Sequence, residues 1–467
     1  MPMSSFVWGG VLAGLFTLGY SKADQNELDV PKLLKRVQHI AENMPVEYWG
    51  KSDIMSRVGS LHLRAGEKAA GDAAFEQAIA VILAADDLGW YVDLSLDQDS
   101  PLRVPRKVVS LIEIARLRSE LGDSTGAAAT LEKAVEQVGE LQDVIEKVGS
   151  LQEVAVAQVY MGDSQAAQST VDRLFHSIGT MPPDRAAFYQ AQALFAVAKS
   201  QAQQKNLVSA RKSIQRALEI VRRIDEGRLR YVLLTESAKA LAMLGDQKTF
   251  EEVLETALET RDAADSTYES KKAREVHILS ELSEVYGDVA NQDMAEQIRR
   301  RILLVLGQIE DEEFSPGLLR DISIALARVG KLNAAVQVAV AIEDEMYQTP
   351  TLPYIIEAQL RSGDLRCALR WAATLGERDP TRRDELIGRI AAAQAKTGDI
   401  ESARRTLEAV SNQNTLFRLA PLRAIAAARV RAGEGKEALS WANSFGSKVE
   451  EAHVLLGLAE GLLYSRA

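Results

Sequence analysis

A chain of 467 residues can form several globular domains or one elongated array. Its hydrophobic content of 46% excludes an intrinsically disordered chain. The formal net charge is −11, from 55 basic and 66 acidic side chains, whereas a general nucleic-acid binder needs a basic surface. We therefore predict a folded chain with no nucleic-acid partner.

Residues 1–23 predict export from the cytoplasm. An uncharged apolar run extends from Phe6 to Tyr20, and Ser21-Lys22-Ala23 follows it with small residues at the positions that signal peptidase accepts. The run is shorter than the roughly 20 residues of a membrane-spanning helix. We predict a cleaved signal peptide and a periplasmic or secreted protein. A retained membrane anchor over residues 6–20 and a buried first helix stay open as alternatives.

The two ends of the remaining chain predict capping helices. In residues 24–48, Leu33, Leu34, Val37 and Ile40 recur at helical spacing. Residues 448–467 predict a second amphipathic helix at the other end. An open array of repeats needs a polar cap at each end, and these two segments are the candidates.

Between the caps, a helix-breaking residue followed five positions later by a small residue recurs ten times. The turn positions are Gly66, Gly122, Gly162, Lys205, Gly245, Gly287, Gly330, Gly363, Gly398 and Gly433. Glycine can end a helix in the left-handed conformation, and the Asp or Asn that often follows can cap the next helix. Successive turns from Gly122 are 40 to 43 residues apart up to Gly330, and 33 to 35 apart after it. The pattern predicts an all-α chain of about ten helix pairs, with longer units over 49–345 and shorter units over 346–447.

Proline positions agree with this division into helices. Pro350, Pro353 and Pro421, like the other prolines after residue 100, are assigned to segments between helix pairs or to the first turn of a helix. A proline in a helix interior costs about 3 kcal/mol, so we expect none there.

The repeat resembles the tetratricopeptide repeat. The resemblance rests on a small residue seven positions before the turn, the turn itself, and small and apolar residues after it. The clearest copies are Gly398-Asp399-Ile400-Glu401-Ser402-Ala403 and Gly363-Asp364-Leu365. It extends over nearly all of residues 50–447 and implies a right-handed α-α superhelix with a concave groove. HEAT-like packing is the alternative for the longer units.

In the tetratricopeptide family the first helix of each pair lines the groove. On that resemblance, positions six residues before each turn face one concave surface, and Arg116, Lys199 and Lys239 are cations at this phase. The candidate groove residues are Arg116, Lys199, Lys239, His277, Glu281, Glu284 and Glu357. His277 and Glu281 are one helical turn apart, which favours a helix-surface pair over a metal site. The three cations imply an acidic protein or peptide partner.

The sequence has no phosphate-binding glycine loop, no zinc-protease motif, no serine-hydrolase motif and no paired cysteines. We therefore predict a non-catalytic scaffold for protein–protein interaction, without a cofactor or a metal, and with membrane contact only through its N-terminal segment. Two alternatives stay open. One is an enzyme in which the array closes into a toroid with carboxylates in a central cleft, and the other is a regulatory, peptide-sensing repeat protein. Closure of the array would distinguish the enzyme from an open scaffold.

Overall fold

A computed structural model describes residues 28–45, 50–85, 91–93, 102–260, 271–286, 292–308, 315–376 and 378–465. Within these residues the chain forms 22 α-helices, which confirms the predicted all-α class. The predicted signal segment, residues 1–23, lies outside the described residues. No helix in the described part of the chain combines the length and hydropathy needed to cross a bilayer.

The helices vary in length from 9 to 21 residues. In chain order the helices are α1 Val30–Glu42, α2 Gly50–Arg64, α3 Lys68–Ala84, α4 Arg106–Glu120, α5 Ser124–Glu140, α6 Val144–Tyr160, α7 Ser164–Ser177, α8 Pro183–Gln203, α9 Leu207–Val221, α10 Gly227–Leu244, α11 Gln247–Glu259, α12 Lys271–Tyr286, α13 Gln292–Leu306, α14 Pro316–Arg328, α15 Leu332–Val340, α16 Glu345–Ser362, α17 Leu365–Leu375, α18 Pro380–Lys396, α19 Ile400–Glu408, α20 Thr415–Arg431, α21 Gly435–Asn443 and α22 Lys448–Tyr464. Two short strands, β1 Tyr91–Asp93 and β2 Arg103–Pro105, pair antiparallel in the long connection between α3 and α4. The sequence had indicated no strand, because segments of three residues are too short to show an alternating pattern.

Neighbouring helices from α2 to α21 pack as ten antiparallel pairs, as the repeat predicts. The described turns have the predicted geometry: the backbone φ angle is +81° at Gly122, +85° at Gly162 and +90° at Gly398. The predicted turn residue Gly287 lies outside the described residues. Lys205 takes the same left-handed conformation, with a φ of +61°. The carboxylate of Asp163 then accepts a hydrogen bond from the Ala166 amide and caps the next helix.

The helix sizes account for the change in repeat length. The second helices α3, α5, α7, α9, α11 and α13 have 13 to 17 residues, whereas α15, α17, α19 and α21 have 9 to 11. The shorter units therefore lose about one to two turns from the second helix.

The first and last described helices meet. Helix α22 packs against α20 on one side and against α2 on the other, and α1 packs against α22 as a second helix does. Arg36 of α1 donates to Asn443 and to Glu451, at 2.6 and 2.5 Å. An eleventh pair is thus built from the last and first helices, and the array closes on itself. We call the junction of α22 with α1, α2 and α20 the seam.

The seam corrects the expectation of two polar caps on free ends. Nine consecutive residues of α22, from Glu451 to Ala459, are buried, so this helix has no polar side that could face water. On α1, the side chains of Leu33, Leu34 and Val37 are buried as well. A capping helix has a polar outer surface, whereas α1 and α22 are apolar there. The two helices therefore bury these apolar surfaces against each other.

The prediction that no proline lies inside a helix was wrong. Pro350 and Pro353 lie inside α16, and Pro421 lies inside α20. Pro421 has no amide hydrogen to donate to the carbonyl of Phe417, one turn earlier. That carbonyl instead approaches Gly388 of α18, where a Cβ atom would lie 2.3 Å from the oxygen. At this point the proline accompanies a close approach of two neighbouring helices.

The close approach of α22 to α20 gives a test of how α22 packs at the seam. A Cβ atom on Gly457 of α22 would lie 2.2 Å from the carbonyl oxygen of Arg423 on α20, so Gly457→Ala must push the helices apart. We expect a loss of about 1–3 kcal/mol in the free energy of unfolding, measured by chemical denaturation. Gly139→Ala is the control: it lies in α5 with no atom near the added methyl, and should stabilise by about 0.5–1 kcal/mol. Equal effects of the two changes would contradict the packing of α22 on α20.

Candidate functional site

The first helices of the pairs form the inner side of the ring. Helices α2, α4, α6, α8, α10, α12, α14, α16, α18, α20 and α22 contact one another in succession, and α22 contacts α2. The second helices spread apart, and a cavity of about 620 Å³ separates α5 from α7. In a closed ring of helix pairs, the helices that contact the equivalent helices of both neighbouring pairs lie on the inside. The helices that are farther from their equivalents lie on the outside. All the predicted groove residues are on these inner helices.

Three predicted residues, Lys199, Lys239 and Glu281, belong to one ion-pair network across α8, α10 and α12. Glu236 of α10 connects them, because its carboxylate accepts hydrogen bonds from Lys199 and, at 2.8 Å, from Lys239. Lys239 also donates to Glu281 of α12 at 2.8 Å. The network therefore alternates in charge along the inner surface.

Glu236 is the electrostatic centre of this network. Its side chain is only 7% exposed. Burial alone would raise the pKa of the Glu236 carboxyl, but the charges of Lys199 and Lys239 and their hydrogen bonds outweigh burial and lower the pKa from 4.5 to about 2. Burial would lower the pKa of the Lys239 amine, yet Glu236 and Glu281 raise it. Both partners are therefore held in their charged forms.

The next pair along the ring contains His277. Its Nδ1 atom lies 2.9 Å from Oδ2 of Asp321 on α14, and its ring stacks on Tyr231 of α10 at 6.5 Å between centroids. Beside it, Arg328 of α14 donates to the carbonyl oxygen of Ser280 at 2.6 Å. The predicted partner of His277 was Glu281 on its own helix. The structure pairs His277 with Asp321 of the neighbouring helix, and the charge of His277 also helps to lower the pKa of the Glu281 carboxyl.

The remaining predicted residues pair in the same way. Arg116 of α4 lies 3.8 Å from Glu153 of α6. Burial raises the pKa of the Glu153 carboxyl, despite the charge of Arg116. Glu357 of α16 accepts from Arg389 of α18 at 2.8 Å. Glu284 lies on α12, and its side chain falls outside the described residues.

Three of these pairs share one positional relation, whereas Lys239 and Glu281 both lie six positions before a turn. A residue six positions before one turn meets the residue nine positions before the next turn, as in Arg116–Glu153, Lys199–Glu236 and Glu357–Arg389. Where the first position is apolar, the second is apolar too: Val156 and Ala196, Ile324 and Tyr354, Ala392 and Ala424. The pattern at a single position of the repeat does not reveal Glu153, Glu236 and Arg389, which lie nine positions before their turns. Comparing two positions in adjacent repeats would have found them.

This arrangement presents paired charges rather than a row of unpaired cations. The side chains of Arg116, Lys199 and Glu281 are each about one third exposed, so a ligand can reach them from the inner side. In the described part of the chain, no group of His, Cys, Asp and Glu side chains has the arrangement of a metal site. The chemistry available is hydrogen bonding and exchange of ionic partners.

No protein-family model and no curated protein matches the chain. Among solved structures, Ton1535 from Thermococcus onnurineus NA1 is similar at 18% identity over 75% of this chain and 99% of its own, with a TM-score of 0.32. A circular tandem repeat protein with novel repeat topology is similar at 17% identity over 94% of both chains, with a TM-score of 0.20. Both similarities concern helical architecture and give no information on function.

The lowered pKa of Glu236 predicts acid sensitivity. The unfolded chain has the ordinary value of 4.5, so the stabilisation is fully present above that pH and is lost as the pH falls through about 2. We expect the free energy of unfolding to fall between pH 4.5 and 2, and to fall less steeply in Glu236→Gln. Chemical denaturation at a series of pH values measures both slopes. Parallel curves for wild type and variant would show that Glu236 does not carry the effect.

Proposed function

We propose that the chain is a non-catalytic scaffold of the tetratricopeptide-repeat kind and that its inner surface binds a protein or peptide partner. The observation that supports this proposal most is the succession of partly exposed ion pairs between neighbouring inner helices, from Arg116–Glu153 to Glu357–Arg389. Each pair offers charged donors and acceptors on adjacent repeats. A peptide lying along the inner helices can contact several pairs at once.

A ligand can bind this surface by replacing one member of an ion pair, and the free-energy cost of that replacement is small. A partly exposed ion pair contributes about 0–1 kcal/mol, so replacing one member by a ligand group costs little. Arg116 is the least engaged of the predicted cations, because its guanidinium lies 3.8 Å from Glu153. A carboxylate of the partner can approach closer and gain a bidentate hydrogen bond. We therefore propose an acidic partner that docks near Arg116.

The proposed location is outside the cytoplasm. The support is the apolar run of residues 6–20 followed by Ser21-Lys22-Ala23. If the segment is retained rather than cleaved, the scaffold stays attached to the membrane. Partner capture therefore starts from the envelope and extracellular fractions of the native source.

The test compares two charge reversals for binding to the captured partner. Arg116→Glu should weaken binding at least about tenfold, and the difference should shrink as salt rises, because screening reduces the contribution of exposed charges. Lys248→Glu on α11 is the matched control, since Lys248 is 88% exposed and lies on a second helix. Titration calorimetry at low and high salt gives both numbers. Reversal of Lys199 or Lys239 is unsuitable, because it leaves the buried Glu236 without its cations.

Equal affinities of wild type and Arg116→Glu at low salt would contradict the proposed inner surface. If Lys248→Glu loses binding and Arg116→Glu does not, the partner binds to the outer helices.

The packing of α22 on α2 closes the array, and closure is the feature expected of the toroid enzyme, so this enzyme is the second candidate. Closure alone does not exclude the scaffold, because a closed ring of helix pairs also presents an inner surface on which a partner can bind. The raised pKa of the Glu153 carboxyl on the inner surface adds an acid of the kind that proton transfer uses. The same capture experiment distinguishes the two: a scaffold leaves the partner at its original mass, whereas an enzyme changes that mass on incubation. Glu153→Gln should abolish such a change.

A further inference from the structure

A second surface with unpaired charges lies on the outer side of the ring, where α5 and α7 both pack on α6. A cavity of about 620 Å³ separates α5 from α7, and a cavity of about 760 Å³ adjoins it, because Ser169 and Arg173 line both. The larger cavity continues to the last turn of each helix, at Gly139 and Ser177. The two cavities therefore form one groove, which we call the outer groove.

The walls of the outer groove are regular helix faces. On α5 the lining residues include Ala127, Leu131 and Val135. On α7 they include Ala166 and Thr170. Each set recurs every three or four residues, so each lies on one face of its helix. Helix α7 has 14 residues, which makes the groove about 21 Å long.

The shape and polarity of the outer groove fit an α-helix. Ala127, Ala128 and Ala166 have small side chains, so a ligand can approach both walls closely. Leu151 and Met161 of α6 add apolar surface to the floor. A groove of this kind receives the apolar face of an amphipathic helix. Its length is that of about four helical turns.

The two walls of the groove differ in charge. On α5, Glu132 and Glu136 line the groove one helical turn apart. On α7, Arg173 and His176 line it one turn apart. Among the described residues, none of these four side chains takes part in an ion pair or a hydrogen bond. Charged residues of a ligand can therefore pair with them without displacing a partner within the chain.

The other charged residues of the groove preserve this difference. Asp172 of α7 is paired with Arg216 of α9 at 3.7 Å. The Asp163 carboxylate accepts a hydrogen bond from the Ala166 amide at 2.9 Å. Lys147 of α6 lines the groove and has no ion pair in the described part of the chain. The α5 wall is therefore acidic, and the α7 wall together with the floor is basic.

We propose that the outer groove docks an amphipathic helix of a partner protein. The apolar face of this helix enters the groove. Its basic edge lies along Glu132 and Glu136, and its acidic edge lies along the wall that contains Arg173. The charges select this occupant, because a helix with charges of only one sign meets like charge on one wall. The site is separate from the inner surface, since α5 and α7 are second helices.

The experiment uses the full-length chain and a synthetic amphipathic helix of about 14 residues, labelled with fluorescein. Leucines form one face of this patterned peptide, lysines form one edge and glutamates form the other. The control peptide has the same composition, with lysine and glutamate alternating along both edges. We expect fluorescence anisotropy at low salt to give a Kd on the order of 10 μM for the patterned peptide, and at least about tenfold weaker binding for the control. The difference should shrink as salt rises.

Charge reversal tests the assigned wall. Arg173→Glu should weaken binding of the patterned peptide at least about tenfold, because it places a carboxylate beside the acidic edge. Arg211→Glu on α9 is the matched control, since Arg211 is exposed on a second helix and lines neither cavity. Arg173 is exposed as well, so both variants should keep the wild-type melting temperature. Arg116→Glu on the inner surface should bind the peptide as wild type does, which makes this test independent of the proposed function.

The proposal is overturned if the patterned peptide shows no saturable binding, if both peptides bind equally at low salt, or if Arg173→Glu and Arg211→Glu bind alike. It is also overturned if the wild-type chain is a dimer that Arg173→Glu converts to a monomer, because a second copy then occupies the groove. Light scattering measures both masses. Binding only after removal of residues 1–23 would assign the groove to that segment and overturn the proposal as well.

Discussion

The fold depends on the contact that α22 makes with its neighbours on both sides. Helix α22 fills the place between α20 and α2 and accepts α1 as its second helix. An open helical array needs an atypical polar repeat at each end, because each repeat exposes the apolar face that the next would cover. In this chain α1 and α22 bury their apolar surfaces against each other. Closure fixes the curvature of the whole array and sets which helices face inward.

The ion pairs of the inner surface follow from this curvature. Because the first helices contact one another in succession, a side chain on one reaches the next within hydrogen-bonding distance, as Lys239 does with Glu281 at 2.8 Å. Glu236 shows the cost of placing charge there, since burial alone would raise the pKa of its carboxyl and two lysines are needed to keep it ionised. We regard the pairs as determinants of register between repeats, because each one matches positions in adjacent units.

The sequence predicted features that depend on single residues, such as the turns. It did not predict the contacts between segments that are far apart along the chain. The glycines at Gly122 and Gly398 predicted their turns, because left-handed backbone is a property of one residue. The prolines of α16 were predicted to lie outside helix interiors, and this was wrong. The free-energy cost of a proline in a helix can be outweighed by packing against other helices, which the spacing of residues in the sequence does not predict. The candidate groove residues lie on the first helices of their pairs, as the repeat pattern placed them. Their partners were missed, because pairing between repeats depends on two positions at once, and the packing of α1 on α22 depends on residues about 400 positions apart.

The eleventh pair has a consequence for the order in which the chain becomes stable. Helix α1 is the first described helix to be synthesised, and the part of its apolar surface that packs against α22 stays uncovered until α22 is made. Contacts between such distant segments form late, because loop closure has to precede them. A partly synthesised chain therefore exposes an apolar strip at its leading end. Only a chain that extends through α22 can cover that strip, so exposure of the strip distinguishes a chain whose ring is still open from one whose ring has closed.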